Sequence, residues 1–284
     1  MRESLGQYRT RDGKSLFYRK WSGPGSVIVY LHGIESNSGW FSPFASLLNE
    51  HGFVVYGIDR RGSGFNAENK GDIVDYNIFL DDIEDALHFV REQNIGKRLY
   101  LAGICWGGLL AVNYATKIKL APDGLILLSP AICRKVDLNP IVKALARACF
   151  LCCPEKRFKI PIMDRMFTSN ERYLDFIKKD KMRIRGLTCR FLNGIIKMER
   201  DFGGINHRIT LPVAVLLSGY DEIVDNERVK KWFEKVKSAD KAIKIFEGMR
   251  HVMPFEDNIA PLVNFIADWI KIRETAVESP RVKN

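Results

Sequence analysis

Short, mainly apolar stretches punctuate the chain at 26–31, 53–58, 98–102, 124–130, 213–218 and 242–246, with Arg98 opening one and Lys244 inside the last. Each lacks the in-out alternation of a strand with one wet face, so these stretches read as strands covered on both sides. Between them the period changes. Phe79, Ile83, Ala86, Leu87 and Val90 recur at helical spacing, with Asp81, Asp82, Glu84 and Asp85 on the other side, which predicts an amphipathic helix with acids near its positive end. Further helical stretches fall around 41–50, 109–114 and 258–272. The alternation, resumed at 213–218, runs on through 229–236. At the start, residues 8–11 and 14–19 flank Asp12-Gly13, a turn pair that predicts an antiparallel hairpin.

Strands that alternate with helices, each strand apolar throughout, call for a mostly parallel central sheet with helices on both faces. From about 133 to 206 the alternation stops. No strand signal appears there, and 141–150, 173–179 and 186–199 look helical and are rich in Arg and Lys. This predicts a helical cap inserted over the edge of the sheet. The expected organisation is a core of 1–132 and 207–276, a cap of 133–206 and a flexible tail of 277–284.

With 284 residues, 46% of them hydrophobic, the chain can bury a large core. No eighteen-residue apolar run free of charge occurs, and Met1-Arg2-Glu3-Ser4 leads into polar residues; the expectation is a cytoplasmic protein without a membrane span. Six cysteines in a chain of this size suit reduced thiols, and Cys149, Cys152 and Cys153 have no matching pair nearby that would make a metal cluster. The net charge of +10 would attract a nucleic acid, an anionic membrane or a phosphate-bearing substrate. Nucleic acid is set aside, because no basic and aromatic groove or binding motif is present. The basic, apolar stretch 141–151 suits a membrane surface or a buried cap helix equally.

Chemistry concentrates at Gly103-Ile104-Cys105-Trp106-Gly107-Gly108, where an apolar strand meets a helix. A Gly-x-nucleophile-x-Gly turn displays its middle side chain and needs small neighbours. Asp221 follows the strand 213–218, and His251 follows 242–246. Nucleophile, acid and base thus stand in chain order after sheet strands, where open α/β sheets assemble their sites. Asp221 is preferred over Glu222, Asp225 and Asp59 as the first carboxylate after its strand, and Asp59 is expected to hold its own turn. The loop His32-Gly33-Ile34 would direct the Ile34 amide, with that of Trp106, at a developing oxyanion; His32 would order that loop. Trp40 and Phe41 follow closely enough to line a substrate pocket or to belong to the core. His51, His88 and His207 read as structural.

These turns, together with Asp59-Arg60-Arg61-Gly62-Ser63-Gly64, Gly219-Tyr220-Asp221 and Glu247-Gly248-Met249-Arg250-His251, resemble the α/β-hydrolase superfamily over about 8–272. Within it the chain resembles the monoacylglycerol lipase and lysophospholipase group of serine aminopeptidase S33 type, whose members carry a helical cap at the same point. That group uses serine where this chain has Cys105. In this respect Gly-x-Cys-x-Gly-Gly is similar to dienelactone hydrolases and polyhydroxyalkanoate synthases. The resemblance implies the α/β-hydrolase fold and a hydrolase of acyl esters or thioesters working through an acyl-Cys105 intermediate, with no cofactor and no metal. Its partner would be a small acyl-group substrate, with an acyl carrier or an anionic lipid surface as further partners. An acyltransferase using the same intermediate and a non-catalytic acyl-ligand-binding protein stand as alternatives.

Overall fold

The computed structural model describes residues 3–117, 120–137, 139–202 and 208–278. Its centre is an eight-stranded sheet. The hairpin β1 (Ser4–Arg9) and β2 (Ser15–Trp21) joins antiparallel to β4 (Val54–Ile58). Beyond it lie β3 (Val27–Leu31), β5 (Leu99–Ile104), β6 (Gly124–Leu128), β9 (Val213–Ser218) and β10 (Lys241–Phe246), all parallel. The five inner strands β4, β3, β5, β6 and β9 are buried along their whole length, as their unbroken apolar runs predict. At the far edge β10 is more open, with Lys241, Ile243 and Lys244 exposed, and its two lysines discourage pairing with another chain.

Helices α1 (Ser42–Glu50), α2 (Asn77–Glu92), α3 (Trp106–Thr116), α7 (Asn226–Glu234) and α8 (Ala260–Glu278) connect and cover the strands. In α3, residues Trp106 to Ala115 are all buried, so this helix lies inside the molecule, as its apolar composition on every side requires. Val277 and Glu278 continue α8, while the rest of the expected tail, 279–284, and His207 lie outside the described residues. No helix among the described residues is long and apolar enough to cross a membrane.

Between β6 and β9 come α4 (Pro140–Cys152), β7 (Arg157–Lys159), α5 (Glu171–Lys179), β8 (Gly186–Thr188) and α6 (Cys189–Phe202). The expectation of no strands here is corrected. β7 and β8 pair antiparallel, Phe158 opposite Leu187, and 186–188, read as the start of a helix, is extended. Three residues are too few to show a period of two, so this ribbon leaves no sequence pattern.

The crossing of β5, α3 and β3 fixes where the nucleophile turn sits. A Cβ on Gly107 would stand 2.2 Å from the Leu31 carbonyl oxygen and 2.6 Å from that of His32. Both obstacles are backbone, so neither moves without shifting β3. Gly107→Ala is therefore expected to destabilise the fold by about 3 kcal/mol. Thermal unfolding checks this, with a drop in Tm of roughly 6–12 °C.

Candidate active site

Cys105 forms the corner between β5 and α3, with φ 53° and ψ −121°. A non-glycine residue in this region is strained by its own Cβ. Neighbouring strands hold it there, since Cys105 N–H donates to Leu128 O (3.0 Å) and Cys105 O accepts from Ala131 N–H (2.9 Å). The turn sets the thiol at the N-terminal end of α3, where the helix dipole favours negative charge.

Asp221 and His251 converge on it from the ends of β9 and β10. His251 Nδ1 lies 2.9 Å from Asp221 Oδ2 and 3.1 Å from Oδ1, and both side chains are fully buried. Asp221 is itself fixed. Its Oδ1 accepts the N–H groups of Ile223 and Val224 (2.8 Å each), and its Oδ2 accepts the Ser218 hydroxyl (2.9 Å). With Nδ1–H given to the carboxylate, Nε2 is the free nitrogen. It is buried without a hydrogen-bond partner among the described residues, and its ring shares a cavity with Cys105.

Burial alone would push the His251 pKa down, but the Asp221 carboxylate, with a smaller contribution from the neighbouring Cys105, outweighs it and carries the imidazole up to about 10. For Asp221, burial pushes up and the His251 charge, with two backbone N–H donors, pulls harder, leaving the carboxyl below its usual range. The other carboxylates weighed for this role are engaged elsewhere: Glu222 pairs with Arg165 and Arg250, Asp225 caps α7, and Asp59 accepts from the N–H groups of Ser38 and Phe65, which ties down its own turn.

The loop 32–34 lies against the thiol. A Cβ on Gly33 would meet Cys105 Cβ at 3.4 Å and Sγ at 4.0 Å, space a substrate carbonyl would need. Ile34 and Trp106 line the same cavity as Cys105. His32 Nε2 accepts the Arg60 N–H (3.1 Å) and is 2.9 Å from the Ser63 hydroxyl. Nδ1 therefore carries the proton, donated to Gly33 O at 2.8 Å. Burial and the Arg60 charge lower the His32 pKa, so this ring stays neutral and ties the loop down.

Sequence reasoning missed Arg60. Its guanidinium is buried, stacks over the Trp106 ring at 4.8 Å and donates to Gly33 O (3.1 Å) and Ile34 O (2.9 Å). It thereby joins the loop bearing the Ile34 amide to the residue bearing the Trp106 amide. Its sequence signal is weak: an arginine beside another in a glycine-rich loop normally points to solvent. Arg61, beside it, is also largely covered, pairing with Asp12 and the buried Asp82.

Two cavities meet at Cys105. One runs between aliphatic side chains including Ile160, Leu187, Leu192, Ile195 and Ile223. The other is bounded by Tyr30, Glu35, Trp40, Phe167 and His251. Trp40 thus faces the site, anchored by its Nε1–H to Asp180 Oδ2 (2.7 Å). Phe41 does not, and the pocket role expected for it is corrected: it stacks on Tyr30 (3.4 Å between centroids) and packs against Phe44 in the core, its backbone turned away by the short helix that presents Trp40.

An open parallel sheet with a sharp strand-to-helix turn at Cys105, and with acid and base delivered by the two strands at one side of it, is the arrangement of an α/β hydrolase. Residues 22–258 match the family described as serine aminopeptidase, S33, and the chain belongs to that family. It is 26% identical over 251 residues to the human monoglyceride lipase, covering 85% of this chain and 81% of that one. It is 24% identical over 230 residues to the phospholipase YtpA of Bacillus subtilis, covering 80% and 88%. Among solved structures, a soluble variant of the Saccharomyces cerevisiae monoglyceride lipase in complex with a substrate analogue superposes with a TM-score of 0.82 at 21% identity, covering 96% of this chain and 95% of that one. The monoacylglycerol lipase of Paleococcus ferrophilus superposes with a TM-score of 0.78 at 22% identity, covering 90% and 98%.

Proposed function

We propose that this protein hydrolyses acyl esters or thioesters through a covalent acyl-Cys105 intermediate, with residues 133–206 as a cap over the acyl-binding cavity. The observation that carries the reading is the buried Asp221–His251 pair, whose free Nε2 shares a cavity with the strained Cys105 corner. Relatives named as monoglyceride lipases and a phospholipase support the ester class.

In the proposed cycle, Sγ attacks the carbonyl carbon as thiolate, its proton held on His251 Nε2. The carbonyl electrons move to oxygen, where the amides of Ile34 and Trp106 stabilise the charge. Collapse re-forms the carbonyl and breaks the bond to the leaving group, which takes the proton from Nε2. Water then gives a proton to Nε2 and attacks the thioester; collapse expels Sγ as thiolate and releases the acid. The carboxylate of Asp221 fixes the tautomer and steadies the imidazolium. The aliphatic cavity suits the acyl chain, and Trp40 bounds the leaving-group side.

Intact-mass analysis after exposure to an activated acyl ester tests this. A single acyl adduct that maps to Cys105 and is lost on adding hydroxylamine is the expected result. A protein that alkylates at Cys105 yet never acylates there would exclude covalent catalysis at this residue.

A further inference from the structure

The proposed cycle leaves a buried cation near Cys105 unused. Arg60 is held by carbonyl oxygens, with no carboxylate paired to it among the described residues, and its Nε has no partner there. The rings of Trp106 (4.8 Å) and Phe79 (5.8 Å) cover it. Burial pushes its pKa down to about 9. A guanidinium kept from water without a counter-ion costs stability. The two carbonyls it grips show what the charge does there.

Nη1 donates to Gly33 O (3.1 Å) and Nη2 to Ile34 O (2.9 Å), so one planar fork holds both peptides that flank Ile34. His32 also donates to Gly33 O, but Ile34 O accepts from Arg60 alone among the described residues. In a trans peptide the C=O and the following N–H point in opposite directions. With the Gly33 carbonyl turned to Arg60, the Ile34 N–H is aimed away from it. The cavities lie on that side: Ile34 and Cys105 line both of them and Arg60 lines neither. This N–H has no hydrogen-bond partner among the described residues, as a donor kept for a substrate oxygen requires. Positive charge at the oxygen end of a peptide polarises it and strengthens its N–H as a donor.

We propose that Arg60 is a positioning residue of the oxyanion hole: its fork holds the two peptides flanking Ile34 so that the Ile34 amide faces the thiol, and its charge acts on the oxyanion through them. It does this from behind the loop, without touching substrate. This rests on the acyl-Cys105 reading above.

Alkylation separates this role from a structural one. When Sγ attacks iodoacetamide, iodide leaves and no oxyanion forms, whereas acylation by an ester must pass through one. Arg60→Lys in the full chain keeps the positive charge and loses the fork. The expected result is a kcat on a short acyl ester about 10²-fold below native, with KM within about twofold, and alkylation of Cys105 by iodoacetamide at the native rate. Arg60→Ala should lose more, and millimolar guanidinium, far below denaturing concentrations, should restore part of its kcat where ammonium does not. Either variant alone decides the matter should the other not fold. A native kcat in Arg60→Lys overturns the assignment. So does a fall in acylation matched by an equal fall in alkylation, or failure of both variants to fold, because each would make Arg60 a support of the whole site instead of one amide. Failure of the underlying reading looks different: the native protein itself would not acylate at Cys105.

Discussion

Cys105→Ala should lower kcat on a short acyl ester by roughly 10⁴-fold or more while leaving Tm within a few degrees of the native value. The loss is large because nucleophile, base and carboxylate act as a unit, and removing the nucleophile leaves only the oxyanion donors and substrate binding. Stability holds because alanine has the same Cβ, so the positive-φ corner at 53° is no more strained than before. Cys105→Ser separates the thiol from the fold. A hydroxyl holds its proton until the transition state, and the sulfur, part of what raises the His251 pKa, is gone. The serine variant should fall between the native protein and the alanine variant in ester hydrolysis. Its acyl intermediate, an oxygen ester, should pass less of the acyl group to added hydroxylamine than the native thioester does. Steady-state kinetics with product partitioning measures both. If added amines or alcohols never compete with water even in the native protein, acyl transfer is excluded as the activity.

The fold could be read from the chain because its signals are local and long enough to have a period. The inner strands are continuously apolar since both faces are covered, and Asp12-Gly13 marks the hairpin by its turn chemistry. Asp221 and His251 were legible for the same reason: each follows an unmistakable strand, and the parallel order brings those strand ends to one edge. What stayed hidden depends on contacts between segments far apart in sequence. Arg60 is marked only by its burial against Trp106 and the 33–34 carbonyls, which no pattern within its own loop announces. Phe41 and Trp40 are neighbours of similar character, yet one stacks on Tyr30 of the inner strand β3 and the other bounds the cavity. Only the direction of a short helix separates them.

Asp221→Asn is expected to cost about 10³- to 10⁴-fold in kcat with the fold retained, and the hydrogen bonds around the carboxylate give the reason. Oδ1 accepts two backbone N–H groups, from Ile223 and Val224, at 2.8 Å each. An asparagine must keep its oxygen there, because an NH2 at that position would face two donors. Its NH2 then occupies the place of Oδ2, facing Ser218 Oγ and His251 Nδ1. The serine hydroxyl can turn to accept, but Nδ1 can accept only by giving up its proton, which moves to Nε2. A histidine protonated at Nε2 and neutral overall cannot take the proton of Cys105, and the charge that raised its pKa is absent. The variant should therefore lose turnover and rapid alkylation of Cys105 at neutral pH together, while binding of a non-reactive acyl analogue changes little. Alkylation rates across pH, read beside kcat, check the argument. A variant that keeps native alkylation kinetics while losing turnover would show that Asp221 steadies the imidazolium of the transition state without setting the tautomer of the resting enzyme.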